Sequence, residues 1–439
     1  MSNTPAPVSS ADRFTAMDFT RGFALLGILL VNIRFFGGPM AEAMVPIPPE
    51  PLADQLSYYF NKIFCESRFY PLFSTLFGMG LALQWARSGD RFLRLYPRRL
   101  VLLALMGLCH GLFLWYGDIL FMYSTVAFFV MFLVRFSSKT LLRLGVAMAV
   151  LFAVMTSGLG ALGMFTPPAS PASDEAPAAL APETLEPDAE PEPRRTGFEH
   201  MFSTMNPEGP FSPAFVRAET LAYRDGPFAE AMLYRVFGYL MILVVSALSF
   251  WWHALAMFLI GAGLMKAGFH ERGRERLASG LALWGLGLGL PLSTGAAFVM
   301  DLSNPLRMGL GSLMGMLAAT LMALGYLGAT TVLARRFASS IPVRVVARAG
   351  QMGLTCYLLE TVIATGLMYH WGFGLFGSFS HAELLGVAVA IYAGVVLAAN
   401  AWMGVFSIGP MEWIWRSWTY LRPLPVRSTT HAGGGRVSG

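Results

Sequence analysis

His110 lies in the apolar run 100–116, which follows Arg98-Arg99 and leaves at Trp115-Tyr116-Gly117-Asp118. A polar side chain in such a run is expensive to hold in hydrocarbon and is by default a functional candidate. The three-residue exit predicts a tight helical hairpin. Counted from Gly117, His110 is seven residues down one arm, and Tyr123 and Ser124 are six and seven down the other. All three are therefore expected at similar depth, with Asp118 nearer the mouth. A histidine with a carboxylate and a hydroxyl in reach can serve as a general base or proton relay. A buried, hydrogen-bonded structural histidine is the competing reading.

Other polar residues interrupt apolar runs. Asn32 and Arg34 sit late in the first run and can be helix–helix contacts or site residues, with Arg34 long enough to snorkel. Glu360 falls about eight residues into the run 352–371, after Thr355 and Tyr357. It reads as a proton or cation site, or as the partner of an arginine at the rim. Arg13, Asp18 and Arg21 alternate in sign before the first run and suit a salt-bridged turn at the membrane surface. His370 and His381 bracket a glycine-rich loop and read as solvated. Cys65, Cys109 and Cys356 have neither metal-ligand spacing nor a disulfide framework, so no metal site is expected. Gly285, Gly287 and Gly289 lie inside an apolar run with no strand before them, which suits close helix packing better than a nucleotide loop.

The elements that must position these residues follow from composition. Of 439 residues, 55% are hydrophobic and 13% charged, about half the charge a water-facing domain carries. The chain is read as an all-α polytopic membrane protein. Ten apolar stretches have bilayer-spanning length, near 22–38, 69–86, 100–116, 118–135, 142–164, 240–265, 277–299, 306–333, 352–371 and 383–408. With the N-terminus cytoplasmic, the inner segments hold 22 of the 31 basic residues, which sets both termini inside. The run 234–266 is interrupted only by Trp251, Trp252 and His253. Two spans there would make eleven helices and move Lys266, Arg272, Arg274 and Arg276 outside, so one span is favoured, with 228–239 as an interfacial or tilted lead-in.

Domain organisation follows. Residues 1–21 form a cytoplasmic segment, 22–164 a five-helix bundle, and 240–408 a second five-helix bundle. The tail 409–439 is cytoplasmic. Residues 166–193 hold eight prolines and seven acidic residues with little to bury, so 165–197 is expected to be a disordered extracytoplasmic linker. Residues 198–239 are expected to be amphipathic and interfacial. The net charge of +5 comes from scattered loop residues and gives no nucleic-acid surface. The partners expected are the lipid bilayer and a small-molecule substrate.

Four ordered blocks resemble the YeiB family, catalogued as domain of unknown function 418. They are Arg13-x4-Asp18-x2-Arg21-Gly22 running to Asn32; Phe69-Tyr-Pro-Leu-Phe-Ser-Thr-Leu-Phe-Gly-Met-Gly80; Arg98-Arg99 with Gly107-x2-His110 and Gly117-Asp118; and Gly350-x-Met352-x-Leu354-Thr355-x-Tyr357 with Gly409-Pro-Met-Glu412-Trp413-x2-Arg416-x2-Thr419-Tyr420. That family resembles the transmembrane acyltransferases, which carry an acyl group from a cytosolic thioester to a glycan hydroxyl or amine. Type-three acyltransferases place a histidine where Asn32 stands, and no histidine precedes His110 here.

The resemblance implies an acyltransferase of a bacterial inner membrane, with no resident cofactor and with acetyl-CoA or another acyl thioester as co-substrate. Arg98 and Arg99, with Arg87, Arg91 and Arg94, would hold the donor phosphates. His110 would act as base, oriented by Asp118, and Asn32 would donate to the oxyanion. Tyr123 and Ser124 are further catalytic candidates, and Arg34 and Glu360 substrate-binding ones. A transporter using Glu360, His110 and Arg34, or a non-catalytic membrane scaffold, are the rival readings.

Overall fold

The computed structural model describes residues 15–44, 49, 51–162, 197–205, 209, 212–271, 274–301 and 303–426. The linker expected over 165–197 lies, Gly197 apart, outside the described residues, as do Arg13 and the residues after 426. Among the described residues there are helices and no strands, in keeping with an all-α polytopic membrane protein.

The helices are α1 (Thr15–Gly37), α2 (Met40–Met44), α3 (Leu52–Phe60), α4 (Phe69–Ser88), α5 (Phe92–Cys109), α6 (Leu120–Leu133), α7 (Ser138–Ala161), α8 (Phe198–Thr204) and α9 (Pro213–Arg224). They continue with α10 (Phe228–Leu248), α11 (Phe250–Lys266), α12 (Glu275–Val299), α13 (Pro305–Arg336), α14 (Ile341–Gln351), α15 (Gly353–Met368), α16 (His381–Val405) and α17 (Pro410–Tyr420). Two π-helical turns extend helices, Asn61–Cys65 after α3 and His110–Leu114 after α5. Helix starts carry the expected chemistry. Ser380 and Glu383 form a reciprocal capping box on α16. Asn304 caps α13, whose first residue is Pro305.

Among the described residues, seven helical stretches are long and apolar enough to cross a membrane, Leu52–Leu114 counting as one although it contains both α4 and α5. The apolar helices α6, α11 and α15 are shorter. The single helix expected over 240–265 is instead divided. Ser249, at φ −132° and ψ −79°, ends α10 and begins α11. The indoles beside it find polar partners, Trp251 donating to Thr125 Oγ1 at 3.0 Å and Trp252 to the Ala247 carbonyl at 3.0 Å. The division has no glycine or proline to announce it. Helix α11 runs parallel to α4: Tyr70 meets His253 near one end, and Lys266 lies over Trp85 at the other. Lys266 also donates to the Val134 and Phe136 carbonyls, so α11 ends beside the α6–α7 turn with its basic residues.

The two halves of the sequence share one core. Helix α11 lies against α4 and α7, and α13 against α7 and α1. Helix α1 is enclosed by α4, α13, α14, α15 and α16, which explains a helix apolar on nearly every face. Its contact with α14 is backbone-close: a Cβ at Gly350 would overlap the Asp18 carbonyl and Gly22. Small residues permit this kind of approach between membrane helices. Arg99 and Arg416 lie together at one end of the bundle, where α17 packs on α5; this is the basic end.

Candidate functional site

The π-helical turn at the end of α5 is closed by the Trp115 N–H donating to the His110 carbonyl at 2.9 Å, the wide i to i+5 pattern often found at functional positions. After it the chain is non-helical until Leu120, and Asp118 turns back towards the histidine. Asp118 Oδ1 is 3.0 Å from His110 Nδ1, and Oδ2 accepts the Phe121 N–H at 2.8 Å. A carboxylate only accepts, so Nδ1 carries the proton. His110 Nε2 is 3.0 Å from Thr361 Oγ1 on α15. His110 is 2% exposed. Gly107 makes room for the pair, because a Cβ there would stand 2.7 Å from Asp118 Oδ2.

The hairpin arithmetic does not carry over. Tyr123 donates to the Tyr70 carbonyl at 2.7 Å and Ser124 to the Phe121 carbonyl at 2.6 Å, while the side-chain hydrogen-bond partners of His110 are Asp118 and Thr361. That arithmetic holds only for two ideal helices meeting at Gly117. The π-turn and the extended exit shift α6 out of register with α5. The hydroxyl that meets His110 belongs to Thr361, which is distant in sequence.

Two cavities follow one another along α1. The first, about 210 Å³, lies at the basic end and is lined by Arg21, Arg99, Arg416, Gln84 and Tyr96, reaching Tyr123, Tyr357 and Ile119 inside. The second, about 300 Å³, is lined by Val31, Asn32, Arg34, Tyr58, Asn61 and Lys62. Both are lined by Ile28 and Ile119, which separate them. Arg21 and Arg34 are thirteen residues apart on α1, or roughly 20 Å at the helical rise. His110 lines neither cavity. The Tyr357 ring, 5.1 Å from the imidazole, stands on the wall of the first.

Of the adjacent arginines, only Arg99 lines the first cavity, stacked 3.6 Å over Trp415. Arg98 is exposed outside it. Arg34 lies 5.7 Å over the Tyr58 ring in the second cavity. Glu360 lines neither, is 2% exposed, and its Oε1 has no hydrogen-bond partner among the described residues. No arginine forms an ion pair with it among the described residues. Sequence reasoning missed Arg21 and Arg416 as cavity residues. Arg21 does pair with Asp18 at 2.9 Å, as its spacing suggested, but it also reaches the cavity wall.

The C-terminal block gains a physical account. Glu412 Oε1 accepts the Leu354 and Thr355 N–H groups at 2.7 and 3.1 Å, and Oε2 accepts the Thr355 hydroxyl at 2.6 Å. A carboxylate on the first turn of α15 satisfies groups that the helix leaves unpaired. It also anchors α17, which carries Trp415 and Arg416 to the cavity.

The family model described as a protein of unknown function, DUF418, matches residues 264–422. The YeiB protein of Escherichia coli strain K12 is 30% identical over 95% of this chain and 99% of its own length. The YxaH protein of Bacillus subtilis strain 168 is 26% identical over 97% of this chain and 98% of its own. No solved structure matches. The matched segment contains Gly350, Glu412 and Arg416, the residues that build the basic end, and the YeiB match runs through α1 and the His110 turn as well; the chain belongs to the DUF418 family of YeiB-like membrane proteins.

Proposed function

We propose that this protein transfers an acyl group from a cytosolic thioester, acetyl-CoA or a longer homologue, to an acceptor hydroxyl or amine entering from the other side of a bacterial cytoplasmic membrane. The observation that carries this reading is the pair of cavities meeting at Ile28 and Ile119. The basic-end cavity suits the donor: Arg21, Arg99 and Arg416 offer guanidinium forks for phosphates, and an apolar passage leads inward for the acyl arm. The second cavity suits the acceptor. The acceptor oxygen or nitrogen attacks the thioester carbonyl, the carbon–sulfur bond breaks, and the proton lost by the acceptor returns to the leaving thiolate. Asn32, one helical turn beyond Ile28, is the amide nearest the junction along α1 and would donate to the developing oxyanion. His110, with Nδ1 held by Asp118, would carry the proton, which requires Thr361 and Tyr357 to turn aside from Nε2 during turnover.

The test is acetyl-CoA and palmitoyl-CoA binding to purified protein in nanodiscs. Saturable binding is expected, weakened about ten-fold or more by Arg99→Ala or Arg416→Ala and unchanged within two-fold by Arg98→Ala. Binding that is absent, or equally sensitive to Arg98, counts against the reading. A transporter is the second reading, favoured by the unpartnered Oε1 of Glu360. Proton-driven flux in vesicles that disappears with Glu360→Gln would support it.

A further inference from the structure

Among the described residues, fifteen buried side-chain nitrogen and oxygen atoms lack a hydrogen-bond partner, and ten of them belong to Trp115, Glu219, Tyr223, Glu230, Tyr234, Arg235, Tyr239, Tyr369 and His370. These residues sit where α9, α10, the exit from α5 and the end of α15 come together, away from the basic end. Arg235 is the centre. It is 0% exposed, and its guanidinium carbon lies 5.9, 5.7 and 5.6 Å from the rings of Tyr223, Tyr369 and Phe228. Nη1 donates to the Phe113 carbonyl at 2.8 Å. Nε and Nη2 have no acceptor in hydrogen-bonding geometry among the described residues, although the Tyr223 hydroxyl lies close enough to interact with the guanidinium.

That pattern has a chemical meaning. Nε–H and the neighbouring Nη2–H form one edge of the guanidinium, two parallel donors spaced for the two oxygens of a carboxylate. A buried donor left without an acceptor loses its hydration with nothing in exchange, and here two sit on one cation. The Tyr223 and Tyr369 rings lie tilted at 35° with centroids 4.6 Å apart, and neither hydroxyl makes a hydrogen bond of good geometry among the described residues. They are further donors beside the fork. Glu219, on the same helix as Tyr223, accepts the Met40 N–H at 3.5 Å through Oε1, and its Oε2 has no hydrogen-bond partner among the described residues. Burial pushes its own carboxyl up to about 8, so at neutral pH it too is mostly a donor.

We propose that the Arg235 fork, with the Tyr223 and Tyr369 hydroxyls, binds the carboxylate of a small monoanionic molecule that enters from the face bearing α9. A single guanidinium balances one negative charge. A second negative charge would find no further cation on this fork to balance it, which selects against a phosphate dianion. The rings of Tyr223, Tyr369 and Phe228 give the ligand an apolar surround, and entry requires α9 to part from the loop after Tyr369. This site does not depend on the thioester reading, since its residues line neither cavity along α1.

The experiment is thermal unfolding of the full chain in nanodiscs, titrated with sodium acetate and sodium benzoate. Sodium chloride and sodium phosphate at equal ionic strength are the controls. A ligand of the folded state raises the transition saturably. At least one carboxylate is expected to do so, while chloride and phosphate do not. Arg235→Lys keeps the charge but not the fork, and should weaken the response about ten-fold or more. Tyr369→Phe removes one hydroxyl, leaves the unliganded transition nearly unmoved, and should weaken binding several-fold; it carries the test if the lysine variant does not fold. Arg99→Ala should leave the carboxylate response unchanged. The proposal is overturned by no saturable response to either carboxylate, by an equal response to phosphate, or by wild-type affinity in both folded variants.

Discussion

Arg98 and Arg99 are identical in type and adjacent in sequence, yet a helix turns consecutive side chains about 100° apart. Only Arg99 meets Trp415 and the cavity. At the same scale, the His110–Asp118 pair is a directional contact rather than a surface ion pair, because both partners are buried. Asp118→Asn keeps the shape of the turn but lets an N–H face Nδ1. Under the proposed acyl transfer, turnover is therefore expected to fall about 100-fold or more, with thioester binding within two-fold of wild type, in parallel binding and turnover assays. Glu219 yields a pH prediction. Its carboxyl is pushed up from 4.5 to about 8 by burial in α9, so between those values the folded chain binds more protons than the unfolded one. Stability then falls as pH rises through that window. Melting curves at pH 6 and pH 9 should show the lower transition at pH 9, and Glu219→Gln should shrink the difference.

Among the elements, α15 and α17 depend on each other. The Glu412 carboxylate takes three donors from the start of α15 and fixes the helix that presents Trp415 and Arg416. Glu412→Ala is expected to cost about 1–2 kcal/mol of stability, as lost caps do, and to weaken thioester binding in the same preparation. Glu412→Gln, which retains one acceptor, should fall between. A stable Glu412→Ala protein with unchanged thioester affinity would show that α17 is held by its aromatic contacts alone. The π-turn at His110 is legible only in part. The Gly107-x2-His110 and Gly117-Asp118 pattern pointed to the right segment, but hydrophobic periodicity does not mark an inserted residue in a helix. The expected neighbours Tyr123 and Ser124 were accordingly wrong, and Thr361 was unseen.

For the whole molecule, the two cavities make Ile28 and Ile119 the barrier between opposite ends. Ile119→Phe adds bulk at that junction. It is expected to leave acetyl-CoA binding intact while lowering transfer at least ten-fold, measured on the same nanodisc sample. Loss of binding instead would mean that the donor already reaches past Ile119. The pairing of α10 with α11 makes a second global prediction. Single cysteines replacing Lys139 and Lys266, in a background without the native cysteines, should label from the same face of the membrane, because Lys266 rests on the 134–136 turn.

Sequence alone determined that the chain is a helical membrane protein of the YeiB kind. That conclusion needs only apolar run lengths, the sparse distribution of charge and four ordered blocks, all of which are local quantities. It also singled out His110, Asp118 and Asn32, and, without telling them apart, Arg98, Arg99, Arg34 and Glu360. Tertiary structure decided which of these face a cavity, which hydroxyl meets His110, and that the polar groups around Arg235 gather at one place. It also decided that 228–266 is two helices rather than a lead-in and a span. The physical reason is the same in each case. Helix rotation, a π-turn and a break at an ordinary serine change where a side chain points without changing the hydropathy of the segment, and contacts such as His110 with Thr361 join residues that no spacing rule connects.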